Sequence, residues 1–330
     1  MKLLMNKRTI HWLIPYDNPS LDTVINSNLA SIRLRLGSLI RQKKLDVTFG
    51  NNIQNNPSAL VIGKIGTSSN NMTENLWVNQ IEGQKRMGTK IVLDYTDDHL
   101  NFKSPMTSFY EGSLAYINTA ITSSTFLADK LKQKSKISVE IIPDAIEVPI
   151  FKPKIRENVS RNIFWFGHAS NINYLIEFIK TFRNMKQKIT LFILTNEQGV
   201  KIFNQTKFNI DKNLSFQLGL WSIQTMINTS KVCDLIIIPS DPSDPKKAGV
   251  SSNRLITALA LGLPTAASVM DSYKEYNQYF TNIYSEKFIE LIDNPDKFHH
   301  QVLEAQNRIV PQFTQEAIGQ KWINFFEKLH

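Results

Sequence analysis

The segment Lys246–Ala267, KKAGVSSNRLITALALGLPTAA, gathers more chemistry than any other stretch of the chain. Lys246 and Lys247 precede Gly249; Ser251, Ser252 and Asn253 then supply helix-capping side chains ahead of Arg254 and an apolar helix that Gly262 closes. A helix start offers backbone N–H groups and a positive dipole end to an anion. A guanidinium beside it adds a permanent charge whose fork matches phosphate oxygens. The segment follows the apolar strand Leu235–Pro239, so it falls at the carboxyl edge where open α/β sheets bind ligands. These residues read as a diphosphate site. A capped helix with solvated lysines accounts for them equally well on local grounds.

A second constellation is DYTDDHL, which follows an apolar strand and puts Asp94, Asp97, Asp98 and His99 at another sheet edge. One carboxylate there can deprotonate an acceptor hydroxyl or hold it, and Asp97 ranks ahead of Asp94 for this work. Magnesium bound through a diphosphate would also suit an acidic pair. Helix capping by Asp97 or Asp98 is the plain structural alternative. His168 follows Gly167 at the end of the strand Asn162–Phe166, where most histidines are ordinary polar loop residues. Lys64, between Gly63 and Gly66, ends an apolar strand, as either a solvent-facing terminus or a cation turned into a cleft. Cys233 lies in an apolar stretch and reads as core. His299, His300 and His330 have no partners at ligand spacing, so no metal site is expected. Phosphate-loop, nucleophile-elbow and zincin motifs are not found.

Alternating apolar runs and helical periodicity position these groups and call for βα units with parallel sheets. In the first half, strands are predicted at His11–Pro15, Asp46–Gly50, Leu60–Ile65, Lys90–Tyr95, Ala120–Ser123 and Val139–Pro143. Helices are predicted at Asn28–Gln42, Glu74–Met87, Ser108–Asn118 and Thr125–Lys134. Pro149, Pro153 and the charged stretch Lys152–Glu157 interrupt the pattern, which puts a domain boundary near Val148–Lys154 and gives domains of residues 1–149 and 150–312. A second series of strands follows at Asn162–Phe166, Ile189–Thr195, Leu214–Gln217, Leu235–Pro239 and Pro264–Ser268. Its helices include Ile172–Asn184, Ile223–Ser230 and Asn253–Leu261. Phe313, Ile318, Trp322, Phe325 and Phe326 recur at helical spacing near the end, and a helix that apolar must dock, expectedly back on the first domain.

The chain has 330 residues, enough for about two domains with their own cores. The opening MKLLMNKRTIHWLIP has too short an apolar core for a signal peptide, and a cytoplasmic protein is expected. A net charge of +9 asks for an acidic partner. The basic residues are dispersed and no nucleic-acid-binding pattern accompanies them, so nucleic acid is excluded at this level.

DLIIIPSDPSDPKKAGVSSNRLITALALGLPTAAS resembles the donor-binding segment of GT-B glycosyltransferases with a family-4-like second domain. ITSSTFLADKL with IIPDAIEVP resembles the end of that family's first domain, and FWFGHASNINYL the start of its second. LVIGKI and IVLDYTDDHL resemble two first-domain strands of a bacterial branch. The pieces span nearly the whole chain in the right order. The resemblance implies two Rossmann-like domains facing a cleft, with a nucleotide-sugar donor held on the second by Arg254, Lys246, Lys247, Ser251, Ser252, Asn253 and Gly167. It puts the loop of Gly167 and His168 on the donor phosphates, making His168 a catalytic candidate beside Asp97 and Asp94. Lys64, His99 and Ser31 fall on the acceptor side, near Arg33. One departure stands out: a glutamate pair that many members carry around the donor helix is Gly249 and Thr257 here, as in branches reading "SSNR". No metal or further cofactor is implied, and the acceptor would be a glycan, a lipid-linked sugar or a protein in cell-surface polysaccharide or glycolipid synthesis. A same-fold epimerase and a non-catalytic nucleotide-sugar-binding module stand as alternatives. Arg33, Arg35, Arg41, Lys43 and Lys44 on the first helix would add an electrostatic hold on an anionic membrane face.

Overall fold

The computed structural model describes residues 9–53, 56–65, 71–102, 104–153, 160–182, 187–208 and 211–329. It divides into a first unit, Met1–Ala145 with Gly249–Ser251 and Phe313–His330, and a second, Ile146–Ala248 with Ser252–Gln312.

In the first unit the short β-branched runs form β1 (Thr9–Leu13), β2 (Asp46–Gly50), β3 (Ala59–Ile62), β4 (Lys90–Tyr95), β5 (Thr119–Thr122) and β6 (Ser138–Ile141). They pair in parallel in the order β2-β1-β3-β4-β5-β6. Strand addition reverses between β1 and β3, which makes the carboxyl ends of these strands the place for a ligand. Helices α1 (Leu21–Ile25), α2 (Gly37–Arg41), α3 (Asn71–Arg86), α4 (Thr107–Ser113) and α5 (Thr125–Lys134) connect them. Alternation along the strands sends Ile10, Trp12 and Ile14 to one core and Leu13, Leu60 and Ile62 to another, on the opposite face.

The predicted helix Asn28–Gln42 is not one α-helix. Ile32–Leu36 is π-helical and runs into α2. Its apolar stripe is as expected, with Ile32, Leu36 and Leu39 buried, but Arg35 is fully buried too rather than facing solvent. A basic surface cluster therefore cannot include Arg35.

The C-terminal helix, Gln315–Lys328, docks on α2 within this unit. Thr314 caps it by accepting from Ala317 N. Trp322 is wholly buried, with its ring 4.8 Å from that of Trp12. Gly319 permits the close approach, since a Cβ there would lie 2.5 Å from the Ser38 carbonyl oxygen.

The second unit repeats the scheme with β7 (Asn162–Phe166), β8 (Ile189–Thr195), β9 (Leu214–Leu220), β10 (Leu235–Ile238), β11 (Thr265–Ala267) and β12 (Thr281–Asn282). Its helices are α6 (Ile172–Ile179), α7 (Glu197–Gln205), α8 (Ile223–Ser230), α9 (Pro245–Ala248), α10 (Asn253–Ala260), α11 (Lys287–Asp293) and α12 (His299–Arg308). The parallel order is β12-β11-β10-β7-β8-β9, so strand addition reverses between β7 and β10. The sequence reading missed α7 and the two-residue strand β12. The predicted end of α6 at Asn184 lies outside the described residues, as do Gly66 and most of the Lys152–Glu157 stretch.

Candidate functional site

The reversal between β7 and β10 sets the β7 exit, Gly167–Asn171, beside the start of α10. Arg254 is half-buried there, its Nη1 3.5 Å from the Phe166 carbonyl oxygen. Gly167 is needed for this approach, because a Cβ on it would lie 3.0 Å from Arg254 Nη1 and 2.9 Å from the Trp165 ring. Burial lowers the pKa of the Arg254 guanidinium, and a hydrogen bond that it donates to the Tyr273 hydroxyl opposes that shift. Among the described residues no carboxylate pairs with Arg254. A partly desolvated cation without a counter-ion at a sheet's ligand edge is suited to an anion brought from outside.

The loop after β10 is pinned to the same place. Lys247 Nζ donates to Asn171 Oδ1 at 2.9 Å and lies 5.4 Å from the Tyr174 ring centroid. The Tyr174 hydroxyl donates to Asp244 Oδ2 at 2.6 Å, which ties the loop to the first turn of α6. Ser252 occupies the N-cap of α10 but makes no capping bond, and its buried hydroxyl is bonded to Tyr276 instead. The helix's first N–H groups thus take nothing from their own cap side chain. Asn253 opens the helix, Ser251 groups with the first unit, and the side chain of Lys246 lies outside the described residues. His168 is exposed at the β7 exit.

In the first unit, Lys64 follows β3 and Asp97 follows the adjacent β4, and they meet. Lys64 Nζ lies 2.7 Å from Asp97 Oδ2, with the two side chains 24% and 40% exposed. The pair presents a donor and an acceptor to solvent, the combination that grips a hydroxyl. Asp98 does the structural work expected of one of the two: its Oδ1 accepts from Tyr95 Oη at 3.0 Å and from Asn101 N at 3.3 Å. His99 stacks on Tyr110 with ring centroids 5.0 Å apart, and its Nδ1 is 3.0 Å from Ser104 Oγ. Ser31 precedes the π-helical turn, and its buried hydroxyl has no hydrogen-bond partner among the described residues. No group of three or more His, Cys, Asp or Glu among the described residues is placed to hold a metal ion.

Asp94 is a correction to the sequence reading. Arg35 Nε donates to Asp94 Oδ1 at 2.7 Å, and the carboxylate is 2% exposed, so it cannot reach an acceptor. Arg35 also reaches Asp144 Oδ1 at 3.2 Å and sits 5.2 Å from the Trp322 ring centroid. Burial pushes the Asp94 carboxyl up against the pull of Arg35. Burial alone would lower Arg35, but Asp94 and Asp144 outweigh it and hold the guanidinium above its ordinary value.

Two histidines of this unit give stability a pH dependence. Burial holds His11 and His99 below the ordinary imidazole pKa, with Gly50 opposing at His11 and Asp97 at His99. As pH falls below about 6.5 the unfolded chain takes up protons that the folded one refuses. Their contribution is therefore complete above that value and is lost on acidification. The melting temperature should drop between about pH 7.5 and 5.5, with a shallower slope in His11→Asn than in a variant of the exposed His300. A flat wild-type profile would contradict this.

The two doubly wound parallel sheets make this a GT-B fold. No protein-family model matches the sequence and no curated protein matches it. The chain is similar to the crystal structure of TarM, at 15% identity and TM-score 0.52, over 78% of its own length, and it spans only 58% of TarM. It is similar to an α-glucosyltransferase in complex with UDP, at 9% identity and TM-score 0.60, over 97% of this chain and 100% of that one. It is also similar to the DNA modifying enzyme β-glucosyltransferase, solved in the presence and absence of its substrate uridine diphosphoglucose (14% identity, TM-score 0.53, 97% and 98% covered). The exclusion of nucleic acid is thereby corrected. The α-glucosyltransferase has also been solved with UDP and a 13-mer DNA, and this chain matches that structure over 97% of its length with a TM-score of 0.58. Dispersed lysines were poor grounds for exclusion, because phosphate contacts need cationic surface and no sequence motif.

Proposed function

We propose that the protein transfers a sugar from a nucleoside-diphosphate donor to an acceptor hydroxyl. The observation that carries this reading is Arg254, a partly buried cation with no carboxylate partner among the described residues, at the reversal point of a parallel sheet. In the transfer the anomeric carbon–oxygen bond to the diphosphate breaks and its electron pair leaves with the nucleotide. Arg254, Lys247 and the first N–H groups of α10 would stabilise that negative charge as it develops. The acceptor hydroxyl forms the new bond and gives up its proton, with Asp97 as the group to take or hold it and Lys64 to orient it. UDP is the first nucleotide to test, since it is what the α-glucosyltransferase of the same fold binds.

For the acceptor we favour a glycan or lipid-linked sugar of a bacterial surface polysaccharide, made at the cytoplasmic face, as the sequence resemblance implies. A DNA acceptor is the second reading, favoured by the full-length likeness to DNA-bound glucosyltransferases and by the net charge of +9. Thermal shift with UDP, GDP, ADP, CMP and dTDP names the base, because a ligand of the folded state raises its melting temperature. Product analysis with the matching nucleotide sugar then separates transfer from donor isomerisation or binding alone. Failure of every nucleotide to stabilise the protein would refute the reading. Asp97→Asn should lower turnover about a hundredfold while donor affinity holds within about threefold. Unchanged turnover would reduce Asp97 to the anchor of Lys64.

A further inference from the structure

The chain that leaves β11 runs as a 3₁₀ helix, Asp271–Tyr279, whose nine residues exceed the three or four at which such helices usually stop. Its origin is fixed. The Ser268 hydroxyl donates to the Ser240 carbonyl oxygen at 2.7 Å and accepts from Ser240 N at 2.8 Å, which ties the β11 exit to the β10 exit. In DSYKEYNQY every third residue from 273 onward is a tyrosine. A 3₁₀ helix has three residues per turn, so Tyr273, Tyr276 and Tyr279 stand on one face, whereas an α-helix would turn each about 60° from the last. Burial follows the same period: Tyr273 and Tyr279 are buried and Tyr276 half-buried, while Lys274, Glu275, Asn277 and Gln278 are exposed. The first two tyrosines of this face meet the start of α10. Tyr273, 1% exposed, accepts from the Arg254 guanidinium and is its one side-chain hydrogen-bond partner among the described residues. One turn on, Tyr276 accepts from the Ser252 hydroxyl at the N-cap of α10 and donates to Glu275.

We propose that Tyr273 is a positioning residue for the diphosphate: its hydroxyl holds Arg254 ready at the sheet's ligand edge, and Tyr276 steadies the α10 start from which Arg254 projects. The inference rests on the donor reading above. A hydroxyl as buried as that of Tyr273 cannot touch the ligand, so it acts through the guanidinium. Arginine has a long, rotamer-rich stem, and ordering one such side chain at the moment of binding costs about threefold to tenfold in affinity. Gly167 and the Phe166 carbonyl oxygen border the guanidinium but bind it weakly, with Nη1 3.5 Å from that oxygen. Tyr273 supplies the directed bond. The 3₁₀ winding lets two successive turns of one short helix reach α10 while the charged and amide side chains between them stay in water.

Nitrogen-15 relaxation of the arginine side chains in apo protein reports whether Arg254 is held. An ordered Nε–H is expected in wild type and a mobile one in Tyr273→Phe, which removes one oxygen and keeps the buried ring. A mobile Arg254 in the wild-type apo protein would overturn the proposal without any variant. Calorimetry uses UDP, or the diphosphate from the panel above that stabilises the protein if UDP does not. Tyr273→Phe should weaken binding about fivefold, and in an Arg254→Ala background the same change should matter by less than about twofold. Equal losses in the two backgrounds would show a site loosened at large and would overturn the proposal. Tyr279→Phe, from the same face one turn further on, should bind as wild type; a loss there equal to that of Tyr273→Phe would also overturn it. Wild-type affinity in Tyr273→Phe, with binding lost in Arg254→Ala, would end the positioning role and leave the donor reading standing. A wild-type protein that binds no nucleoside diphosphate would overturn both.

Discussion

Arg254→Ala is expected to weaken UDP binding between thirtyfold and a thousandfold, about 2–4 kcal/mol. Its apo melting temperature should be unchanged or raised. The two halves of this expectation have one cause. In the empty protein the guanidinium is partly desolvated and opposed by no carboxylate among the described residues, so the fold gains little from it. When a diphosphate arrives, the same group supplies charge-assisted hydrogen bonds that alanine cannot replace. Groups held for a ligand commonly cost stability in this way. Arg254→Lys should recover part of the affinity, since it restores the charge without the planar fork. Calorimetric titration and a melting curve on each variant measure both quantities, and a diphosphate affinity equal to wild type in the alanine variant would remove Arg254 from the site.

Arg35→Met should cost about 3–5 kcal/mol of folding stability at neutral pH, because it strands two carboxylates in the interior. Asp94 and Asp144 are 2% and 7% exposed, and the guanidinium is their shared partner. Without it, burial pushes the Asp94 carboxyl further above its value in the unfolded chain. The folded variant then binds more protons than the unfolded one, so its stability increases as pH falls. The deficit against wild type should accordingly be largest near pH 7 and shrink towards about pH 5. Adding Asp94→Asn to Arg35→Met should restore part of the loss, since one buried charge is gone. Urea unfolding at the two pH values tests this. A deficit that does not depend on pH would show that Arg35 contributes through its stem packed on Trp322 rather than through its charge.

Much of this protein was legible in its residues. The strands Asp46–Gly50, Lys90–Tyr95, Asn162–Phe166 and Ile189–Thr195 have the predicted bounds, because short β-branched runs between turn residues leave the backbone little alternative. The apolar spacing of Ile318, Trp322, Phe325 and Phe326 announced a helix that had to be covered, and it is covered by α2 and β1. Capping residues before Arg254 placed that cation at a helix start without any knowledge of the fold. Asn196 was missed along with the helix it caps, although an Asn that ends an apolar strand and opens a polar amphipathic run is itself a capping signal.

Tertiary structure alone decided which charges work and which are walled in. DYTDDHL sets Asp97 only slightly ahead of Asp94, yet Asp94 is paired with a buried arginine 59 positions away and Asp97 with a half-exposed lysine 33 positions away. Arg35 looked like a surface cation on a helix flank, and its partners Asp94 and Asp144 come from the ends of β4 and β6. The strand orders, with their reversals beside β1 and β7, likewise bring Lys64 to Asp97 and Gly167 to Arg254. The physical reason is one of range. Hydrophobic period and capping are written within a few residues of where they act, whereas the state of a charge depends on burial and counter-charges that distant segments supply only once the chain has folded.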